Sequence, residues 1–319
     1  MSGVERPPGG RTARSLLPYR PAQLGAASGA GTEFWDGTGG PPHQDVLDSV
    51  EFFVVPYGLT SVSVPLLRRM PRLRVVQSLS AGVDDLVPHI PAGVTLCNAG
   101  GVHDASTAEL ALTLTLASLR GVPGFVRAQD DGTWQSGYFP SLADRTVLIC
   151  GYGSIGQAVE ERLAGFECEV VRVARTARPG PRGPVRSIAE LPGLLPGADV
   201  VVLTLPLTER TRRLVDAEFL AALKDGALLV NVARGAVVDT GALVAELERG
   251  RLAAALDVTD PEPLPEGHPL WRTPNTLITP HVGGNSSAFP PRALSLVRAQ
   301  LLRHLAGEDL VNVILPPSS

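Results

Sequence analysis

The first third of the chain alternates short apolar runs with turns that are rich in glycine and proline. Five of the runs have the length of a β-strand, at residues 15–19, 32–36, 51–55, 74–78 and 94–98. Three segments between them have the length of a short helix, at residues 21–25, 63–70 and 84–89. Strands that alternate with helices predict a small α/β unit, which we place at residues 14–103.

From residue 146 the alternation becomes regular, and the strand-like runs are apolar throughout. These runs lie at residues 146–150, 169–174, 199–205, 227–232, 252–258 and 276–279. Helical stretches lie at residues 155–165, 187–195, 216–223 and 241–249. Apolar strands joined by helices are typical of a parallel sheet that is covered on both faces. We therefore predict a second α/β domain over residues 104–285, followed by a helix at 290–305 and a short strand at 310–314.

A helix and a loop are predicted between these two regions. The helix begins at Ser106, because Glu109 stands three residues later in the capping-box spacing and an apolar stretch follows. That stretch is apolar nearly all round, which predicts burial on most faces. Residues 121–143 are predicted to form a loop with four aromatic side chains, at positions 125, 134, 138 and 139. Such a loop indicates contact with a second subunit, hence a homodimer; packing on its own chain is the alternative.

Composition and charge exclude several classes of protein. Of the 319 residues, 44% are hydrophobic and 19% are charged, which is enough apolar material for two cores. A net charge of −4 gives no attraction to nucleic acid. No run reaches the roughly 18–20 apolar residues of a membrane helix, and we interpret residues 1–13 as a disordered tail rather than a signal peptide. Three cysteines without C-x-x-C spacing favour a reducing compartment and no metal, so we expect a cytoplasmic protein.

A glycine motif follows the first strand of the second domain. Gly151, Gly153 and Gly156 form G-x-G-x-x-G between a predicted strand and a predicted helix. The first glycine permits the tight turn, the second lets the backbone approach a pyrophosphate, and the third lets helix and strand pack closely. The N-terminus of the helix adds free N–H groups for the phosphates. This context predicts a dinucleotide-binding site.

The end of the next strand indicates which dinucleotide binds. A residue about 20 positions after the motif reads the ribose 2′ position, and an acidic residue there selects NAD. Arg175 occupies that place, followed by Thr176 and Arg178. A guanidinium pairs with a 2′-phosphate, which a carboxylate would repel. The sequence therefore favours NADP(H), with NAD(H) possible.

Polar residues stand at the carboxyl ends of the other predicted strands, where ligands bind in an open parallel sheet. Thr204 and Pro206 follow one strand, Arg234 follows the next, Asp257 closes a third, and His281 comes two residues after the last. We therefore expect these side chains to lie at one edge of the sheet, beside the cofactor.

These residues also carry a resemblance. The chain resembles the D-isomer-specific 2-hydroxyacid dehydrogenases, a family that includes glyoxylate/hydroxypyruvate reductases. The resemblance runs from about residue 15 to the C-terminus. The matching stretches are 80–84 (SAGVD), 151–156 (GYGSIG), 205–208 (LPLT), 231–235 (NVARG), 257–264 (DVTDPEPL) and 279–284 (TPHVGG).

The resemblance implies a role for each site residue. His281 would be the acid/base, Glu262 its hydrogen-bond partner, and Arg234 the group that binds the carboxylate and polarises the carbonyl. Asp257 resembles the residue that holds the nicotinamide carboxamide. The remaining residues that we assign to the cofactor are Ser154, Ile155, Val232 and Gly283. Those assigned to the substrate are the backbone of Ser80, Ala81 and Gly82, and the side chain of Tyr57.

The resemblance further implies a discontinuous substrate domain, residues 14–103 with 286–319, into which a Rossmann domain is inserted, with the active site in the cleft between them. The fold class is thus α/β with two Rossmann-like or flavodoxin-like domains. The expected reaction is reduction of a small 2-oxo acid of the glyoxylate or hydroxypyruvate type. Two alternatives stay open: an NAD(H)-sensing regulator on the same scaffold, or a dehydrogenase of another small acid such as formate or phosphoglycerate.

Overall fold

The computed structural model describes residues 14–28 and 31–317, so the predicted tail at residues 1–13 lies outside the described part. The chain divides into two compact units. Unit 1 comprises the described residues of Met1–His103 and Ser287–Ser319, and unit 2 comprises Asp104–Ser286.

The described residues contain fourteen strands and ten α-helices. The strands are β1 (Arg14–Leu17), β2 (Thr32–Phe34), β3 (Val50–Val55), β4 (Val75–Ser78), β5 (Thr95–Cys97), β6 (Thr146–Cys150), β7 (Glu169–Ala174), β8 (Arg178–Gly180), β9 (Gly183–Ser187), β10 (Val200–Leu203), β11 (Leu228–Asn231), β12 (Ala253–Leu256), β13 (Thr276–Ile278) and β14 (Val313–Leu315). The helices are α1 (Pro21–Leu24), α2 (Gln44–Leu47), α3 (Thr60–Leu67), α4 (Asp104–Leu119), α5 (Val122–Asp130), α6 (Ser154–Leu163), α7 (Leu191–Leu194), α8 (Ala217–Ala222), α9 (Thr240–Glu248) and α10 (Phe289–Ala306). Short 3-10 turns lie at Gly25–Ala27, Val87–His89, Ile188–Glu190, Leu195–Gly197, Gly235–Val237 and Pro269–Trp271.

Unit 1 is built on a six-stranded sheet in the order β14-β5-β4-β3-β1-β2. All its pairs are parallel except β14 with β5. The central strand β3 alternates its side chains between two apolar clusters, with Phe53 in one and Phe52 in the other. Helix α10 contributes Ala293, Val297 and Leu301 to the second cluster, so the C-terminal helix belongs to the core of unit 1.

Unit 2 is built on an eight-stranded sheet in the order β13-β12-β11-β10-β6-β7-β9-β8. Every pair is parallel except the edge hairpin of β8 and β9. The chain builds the sheet outward from β6, first towards β8 and then, from β10, towards β13. The strand order therefore reverses between the neighbouring parallel strands β6 and β10. Helices α4 and α6 cover one face of the sheet, and α8 and α9 cover the other. The predicted α/β fold with two mostly parallel sheets is confirmed.

Three local predictions are wrong. Helix α4 begins at Asp104, so Ser106 lies inside the helix and is no cap; its hydroxyl shares a 2.5 Å hydrogen bond with Ser286. Residues 121–143 are only partly a loop, because α5 occupies their first half. The hairpin of β8 and β9 was missed, since the glycines and prolines of residues 178–184 (RPGPRGP) predict turns and not strands.

Helix α4 otherwise behaves as its apolar sequence predicts. Of its sixteen residues only Glu109 and Thr113 are exposed. Among the described residues, no helix is both long enough and apolar enough to cross a membrane.

Candidate active site

The glycine loop of unit 2 lies between β6 and α6 and is packed against the end of β10. A Cβ on Gly151 would lie 2.6 Å from the backbone of Thr204, and Gly151 has a φ of +110°. Thr204 Oγ1 donates to the carbonyl of Gly151 at 2.6 Å. A Cβ on Gly156 would lie 2.4 Å from that same carbonyl oxygen. Glycine is therefore required at both positions, because two backbone segments approach too closely for a side chain.

The middle glycine faces open space. Gly153 would have no atom within 4 Å of a Cβ, and it caps α6 without a side-chain hydrogen bond. The first turn of α6, from Ser154 to Gly156, thus presents backbone N–H groups that no capping side chain covers. Ser154 is exposed, and its hydroxyl donates to Asp104 at 3.0 Å. The free N–H groups of α6 can bind a pyrophosphate, and Gly153 leaves room for it to approach because it has no side chain. The residues present therefore fit a dinucleotide.

The residues predicted to read the ribose lie at the end of β7. Arg175 and Thr176 follow its last residue directly, and both are exposed. Arg178 begins β8, and its guanidinium donates to the carbonyl of Tyr152 in the glycine loop at 2.7 Å. The hydrogen bond places Arg178 next to the glycine loop.

The Arg234 loop leaves β11 through Asn231, which is 1% exposed. The Asn231 amide accepts from the N–H of Ala233 and donates to the carbonyl of Arg234, both at 3.0 Å. These two bonds hold the turn in which Arg234 adopts an extended backbone. Asn231 belongs to the stretch 231–235 that carries the resemblance, but its positioning role was not predicted from the sequence. The only sequence signal for that role is an amide side chain at the end of an apolar strand.

Gly235 brings a second loop against Arg234. A Cβ on Gly235 would lie 1.9 Å from the carbonyl oxygen of Thr259. Thr240 fixes the same loop, since its hydroxyl donates to the carbonyl of Asp260 at 2.7 Å. The segment that carries Glu262 is therefore held beside Arg234 by backbone-to-backbone contact that only glycine allows.

Glu262 and His281 form a hydrogen-bonded pair. Nδ1 of His281 lies against Oε1 of Glu262. The side chain of His281 is 44% exposed and that of Glu262 is 39% exposed, so the ion pair contributes little to the stability of the fold. It matters for the reactivity of His281. With Nδ1 donating to the carboxylate, Nε2 is the ring nitrogen left to face a reactant. The structure thus brings Glu262 and His281 together within unit 2, as the sequence predicted.

Electrostatics favour the protonated form of His281. The hydrogen bond to Glu262 raises the pKa of His281, against the opposing effects of burial and of the positive charge of Arg234. Burial acts to raise the pKa of Glu262, but the hydrogen bond from His281, the charges of His281 and Arg234 and a backbone hydrogen bond at Thr259 together outweigh it and lower that pKa. The positive charge of Arg234 acts to lower the pKa of both groups. The arrangement can hold a proton at His281 near neutral pH.

Asp257 organises the turn that carries His281. Its carboxylate accepts hydrogen bonds from Thr279 Oγ1 at 2.6 Å, from the N–H of Val282 at 2.9 Å and from the N–H of Gly283 at 2.8 Å. Its own carbonyl accepts from the N–H of His281 at 2.7 Å, and His281 has a φ of +52°. Asp257 is 2% exposed. Its observed contacts are thus to the turn that carries His281, and contact with a nicotinamide stays a prediction.

The other residues predicted for the cofactor occupy the loops around this edge. Val232 is buried after β11, and its N–H donates to the carbonyl of Leu203. Pro206 is exposed, and its carbonyl accepts from Thr211 Oγ1 at 2.7 Å. Ile155 is half-buried in the first turn of α6.

The residues predicted for the substrate lie in unit 1. The N–H of Ser80 donates to Ser78 Oγ at 3.0 Å, so the anion-binding expectation rests on the amides of Ala81 and Gly82. Tyr57 is half-buried; its ring stacks on that of His103 with centroids 5.4 Å apart and is tilted against that of Phe289 with centroids 4.3 Å apart.

Comparison with known proteins decides the family. The model described as "D-isomer specific 2-hydroxyacid dehydrogenase, NAD binding domain" matches residues 112–283, more than half of the chain. The glyoxylate reductase of Thermococcus litoralis is 30% identical over 297 residues, which cover 88% of this chain and 89% of that protein. This chain belongs to the D-isomer-specific 2-hydroxyacid dehydrogenase family.

Two solved structures of this family show the same fold. A D-isomer-specific 2-hydroxyacid dehydrogenase from Xanthobacter autotrophicus Py2, in complex with NADPH and MES, is 32% identical with a TM-score of 0.81, covering 96% of this chain and 99% of that one. An NADPH-dependent glyoxylate/hydroxypyruvate reductase from Sinorhizobium meliloti, in complex with NADP and malonate, is 28% identical with a TM-score of 0.76, covering 95% and 97%. The expected family and the expected enzyme class, an NAD(P)-dependent oxidoreductase of 2-hydroxy acids, are confirmed.

Proposed function

We propose that this dehydrogenase reduces a small 2-oxo acid of the glyoxylate or hydroxypyruvate type to the D-2-hydroxy acid, with NADPH as the preferred reductant. The observation that carries the proposal is the Glu262–His281 pair, with the charge of Arg234 close enough to act on both. The named relatives, a glyoxylate reductase and a glyoxylate/hydroxypyruvate reductase, support the substrate class.

The three side chains supply what the reduction needs apart from the hydride, which NADPH supplies when bound. His281 donates a proton from Nε2 to the substrate's carbonyl oxygen as carbon gains the hydride, and a hydroxyl results. Glu262 stabilises the imidazolium before transfer and fixes the ring nitrogen that faces the substrate. Arg234 pairs with the substrate carboxylate and polarises the carbonyl through its planar guanidinium.

We assign the cofactor to the carboxyl edge of the unit 2 sheet. Its pyrophosphate binds Gly151, Gly153 and the first turn of α6, and its ribose 2′ position lies at Arg175 and Thr176. The exposed guanidinium of Arg175 and the lack of a carboxylate there favour NADP(H), although NAD(H) can bind the same loop. Asp257 would accept a hydrogen bond from the nicotinamide carboxamide, because its carboxylate oxygens can accept more than the three hydrogen bonds that they already receive.

We also propose that unit 1 contributes to substrate binding. The amides of Ala81 and Gly82 bind the substrate's carboxylate, and Tyr57 contacts its side chain. Unit 1 is then the substrate domain and unit 2 the nucleotide domain, with the boundaries at 103/104 and 286/287.

A turnover assay distinguishes an enzyme from an NAD(H)-sensing regulator. Oxidation of NADPH and of NADH is followed at 340 nm with glyoxylate, hydroxypyruvate, pyruvate, 3-phosphohydroxypyruvate and longer 2-oxo acids, and formate is tested with NADP⁺ and NAD⁺. We expect NADPH-dependent turnover with glyoxylate and hydroxypyruvate, and its loss in His281→Asn with cofactor affinity retained. Tight cofactor binding without turnover on any substrate would instead establish the regulator that the scaffold also permits.

We further propose a homodimer that uses the exposed aromatic segment after α5. Trp134 and Tyr138 are fully exposed, at 97% and 108%, and a soluble monomer gains nothing by exposing two such rings. Light scattering should show a dimer for the wild type and a monomer for a Trp134→Ser, Tyr138→Ser double variant. The exposed Trp271→Ser serves as the matched control that remains dimeric, and a monomeric wild type would refute the assignment.

A reducing compartment such as the cytoplasm is proposed from the thiols. Cys97, Cys150 and Cys168 are all free, and burial raises the pKa of Cys150 to about 12, which keeps it unreactive.

A further inference from the structure

A buried polar cluster lies beneath the glycine loop and takes no part in the proposed chemistry. It consists of Tyr152 in the loop, Glu160 in α6 and Arg172 in β7, and we call it the loop cluster. Tyr152 Oη donates to Glu160 Oε2, and Arg172 Nε donates to both carboxylate oxygens at 2.9 Å. Tyr152 is 2% exposed and Glu160 4%.

The loop cluster stays charged despite its burial. Burial acts to raise the pKa of Glu160, but the hydrogen bonds from Arg172 and Tyr152 and the charges of Arg172 and Arg182 together outweigh it and hold that pKa below its ordinary value. A buried ion pair gives little net stability, because desolvation offsets the attraction, and apolar side chains fill such a space equally well. Its value is directional, since charge-assisted hydrogen bonds fix the relative positions of the segments that carry them.

Those segments surround the turn that we assign to the ribose 2′ position. Arg172 lies in β7, three residues before Arg175, which directly follows that strand, and the carbonyl of Tyr152 accepts from Arg178 at 2.7 Å. One member of the cluster therefore leads into the turn, and another is bonded to the residue at which the turn ends.

The β8–β9 hairpin also rests on the cluster. Gly183 has a φ of +135°, and a Cβ there would lie 3.0 Å from Nη1 of Arg172. A Cβ on Gly180 would lie 3.6 Å from the ring of Tyr152. The hairpin thus packs its two glycines directly on cluster side chains, so displacement of Arg172 or Tyr152 moves the hairpin and the turn before it.

On the basis of the proposed NADP(H) preference, we infer that the loop cluster is a positioning device for the 175–178 turn and sets the affinity for the 2′-phosphate of the cofactor. Tyr152, Glu160 and Arg172 act through Arg175 and Arg178 and do not touch the phosphate. A 2′-phosphate needs its guanidinium partners in a fixed orientation. A 2′-hydroxyl makes no such demand, so loss of the cluster weakens NADP(H) binding more than NAD(H) binding.

The test measures binding of two nucleotides to the purified full-length chain by calorimetry. The probes are 2′,5′-ADP, which carries the 2′-phosphate, and 5′-ADP, which lacks it. In Glu160→Gln we expect the Kd for 2′,5′-ADP to rise about tenfold and that for 5′-ADP less than threefold, because one charge-assisted anchor of the turn is lost. Tyr152→Phe, which keeps the ring and removes the hydroxyl, should raise only the first Kd, about threefold, and guards against failure of Glu160→Gln to fold.

Glu246→Gln is the matched control. Glu246 lies in α9, has a side chain that is 13% exposed and pairs with Arg251 beyond the end of the helix, so the variant breaks a comparably buried ion pair outside the 175–178 turn. It should lower the melting temperature and leave both Kd values unchanged. Equal weakening of both nucleotides in the cluster variants, or no weakening, overturns the inference and leaves a structural role. If the wild type itself binds the two probes equally, the NADP(H) preference is what has failed, whereas turnover of 2-oxo acids would still stand.

Discussion

The contact between Gly235 and Thr259 allows a sharp test of the active-site geometry. In Gly235→Ala the new Cβ would lie 1.9 Å from the carbonyl oxygen of Thr259, and ordinary contact begins at 3.4 Å. The Thr259 segment must therefore move by about 1.5 Å, the difference of the two distances, and Glu262 is three residues further along it. Gly235 has no positive φ, so alanine acts by steric displacement alone.

A displacement of this size predicts a large loss of activity. A misplacement of about 1 Å in a catalytic group costs roughly 100-fold in rate, so kcat for 2-oxo acid reduction should fall at least about 100-fold. Overpacking costs about 1–3 kcal/mol, so the melting temperature should fall by several degrees while the protein stays folded. Because Glu262 moves away from His281, the alkaline limb of the pH–rate profile should move to lower pH.

The assay combines steady-state kinetics from pH 5 to 10 with a thermal melt. Gly193→Ala is the matched control, because its Cβ would have no neighbour within 4 Å and its φ is not positive. It should leave kcat and the melting temperature unchanged. A Gly235→Ala enzyme with kcat within threefold of the wild type and an unshifted pH profile would refute the claim that this contact positions Glu262.

Three further predictions concern single side chains. Glu262→Gln should move the alkaline limb of the reduction profile to lower pH, since the bond to Glu262 is the first cause that raises the pKa of His281 and reduction needs the protonated ring; an unmoved limb contradicts this cause. Asp257→Asn replaces an acceptor of two backbone N–H groups and should cost about 1–3 kcal/mol in the free energy of unfolding and lower kcat, measured by urea titration and kinetics. Arg175→Asp should shift the NADPH/NADH ratio of kcat/KM towards NADH, with the exposed Arg120→Asp as control; an unchanged ratio contradicts the assignment of the 2′ position.

Sequence periodicity was sufficient for the architecture because burial leaves a direct record in the order of residues. The apolar runs of unit 2 became β6, β7, β10, β11, β12 and β13 within a few residues of their predicted bounds. The rule that ligands lie at strand ends placed Arg234 and His281 at one edge of the unit 2 sheet, and the family resemblance added Glu262 as the partner of His281. The structure shows Glu262 and His281 in contact.

The errors share a physical cause, which is that local signals compete with distant partners. Serine is a common helix-capping residue, but α4 begins at Asp104, and the hydroxyl of Ser106 instead shares a hydrogen bond with that of Ser286, 180 residues away. The glycines and prolines of residues 178–184 predict turns, yet β7 provides the hydrogen-bonding edge on which β9 forms a strand.

The sequence by itself determined the family, the order of elements and the identity of the chemical groups, because motifs and apolar periodicity depend on neighbouring residues. Only the tertiary structure decided how those groups are held. The close approach of Thr259 to Gly235, the three hydrogen bonds on Asp257 and the bond of Arg178 to Tyr152 join segments at least 22 residues apart in the chain. Such contacts depend on where the whole fold places each backbone, and no local pattern records that.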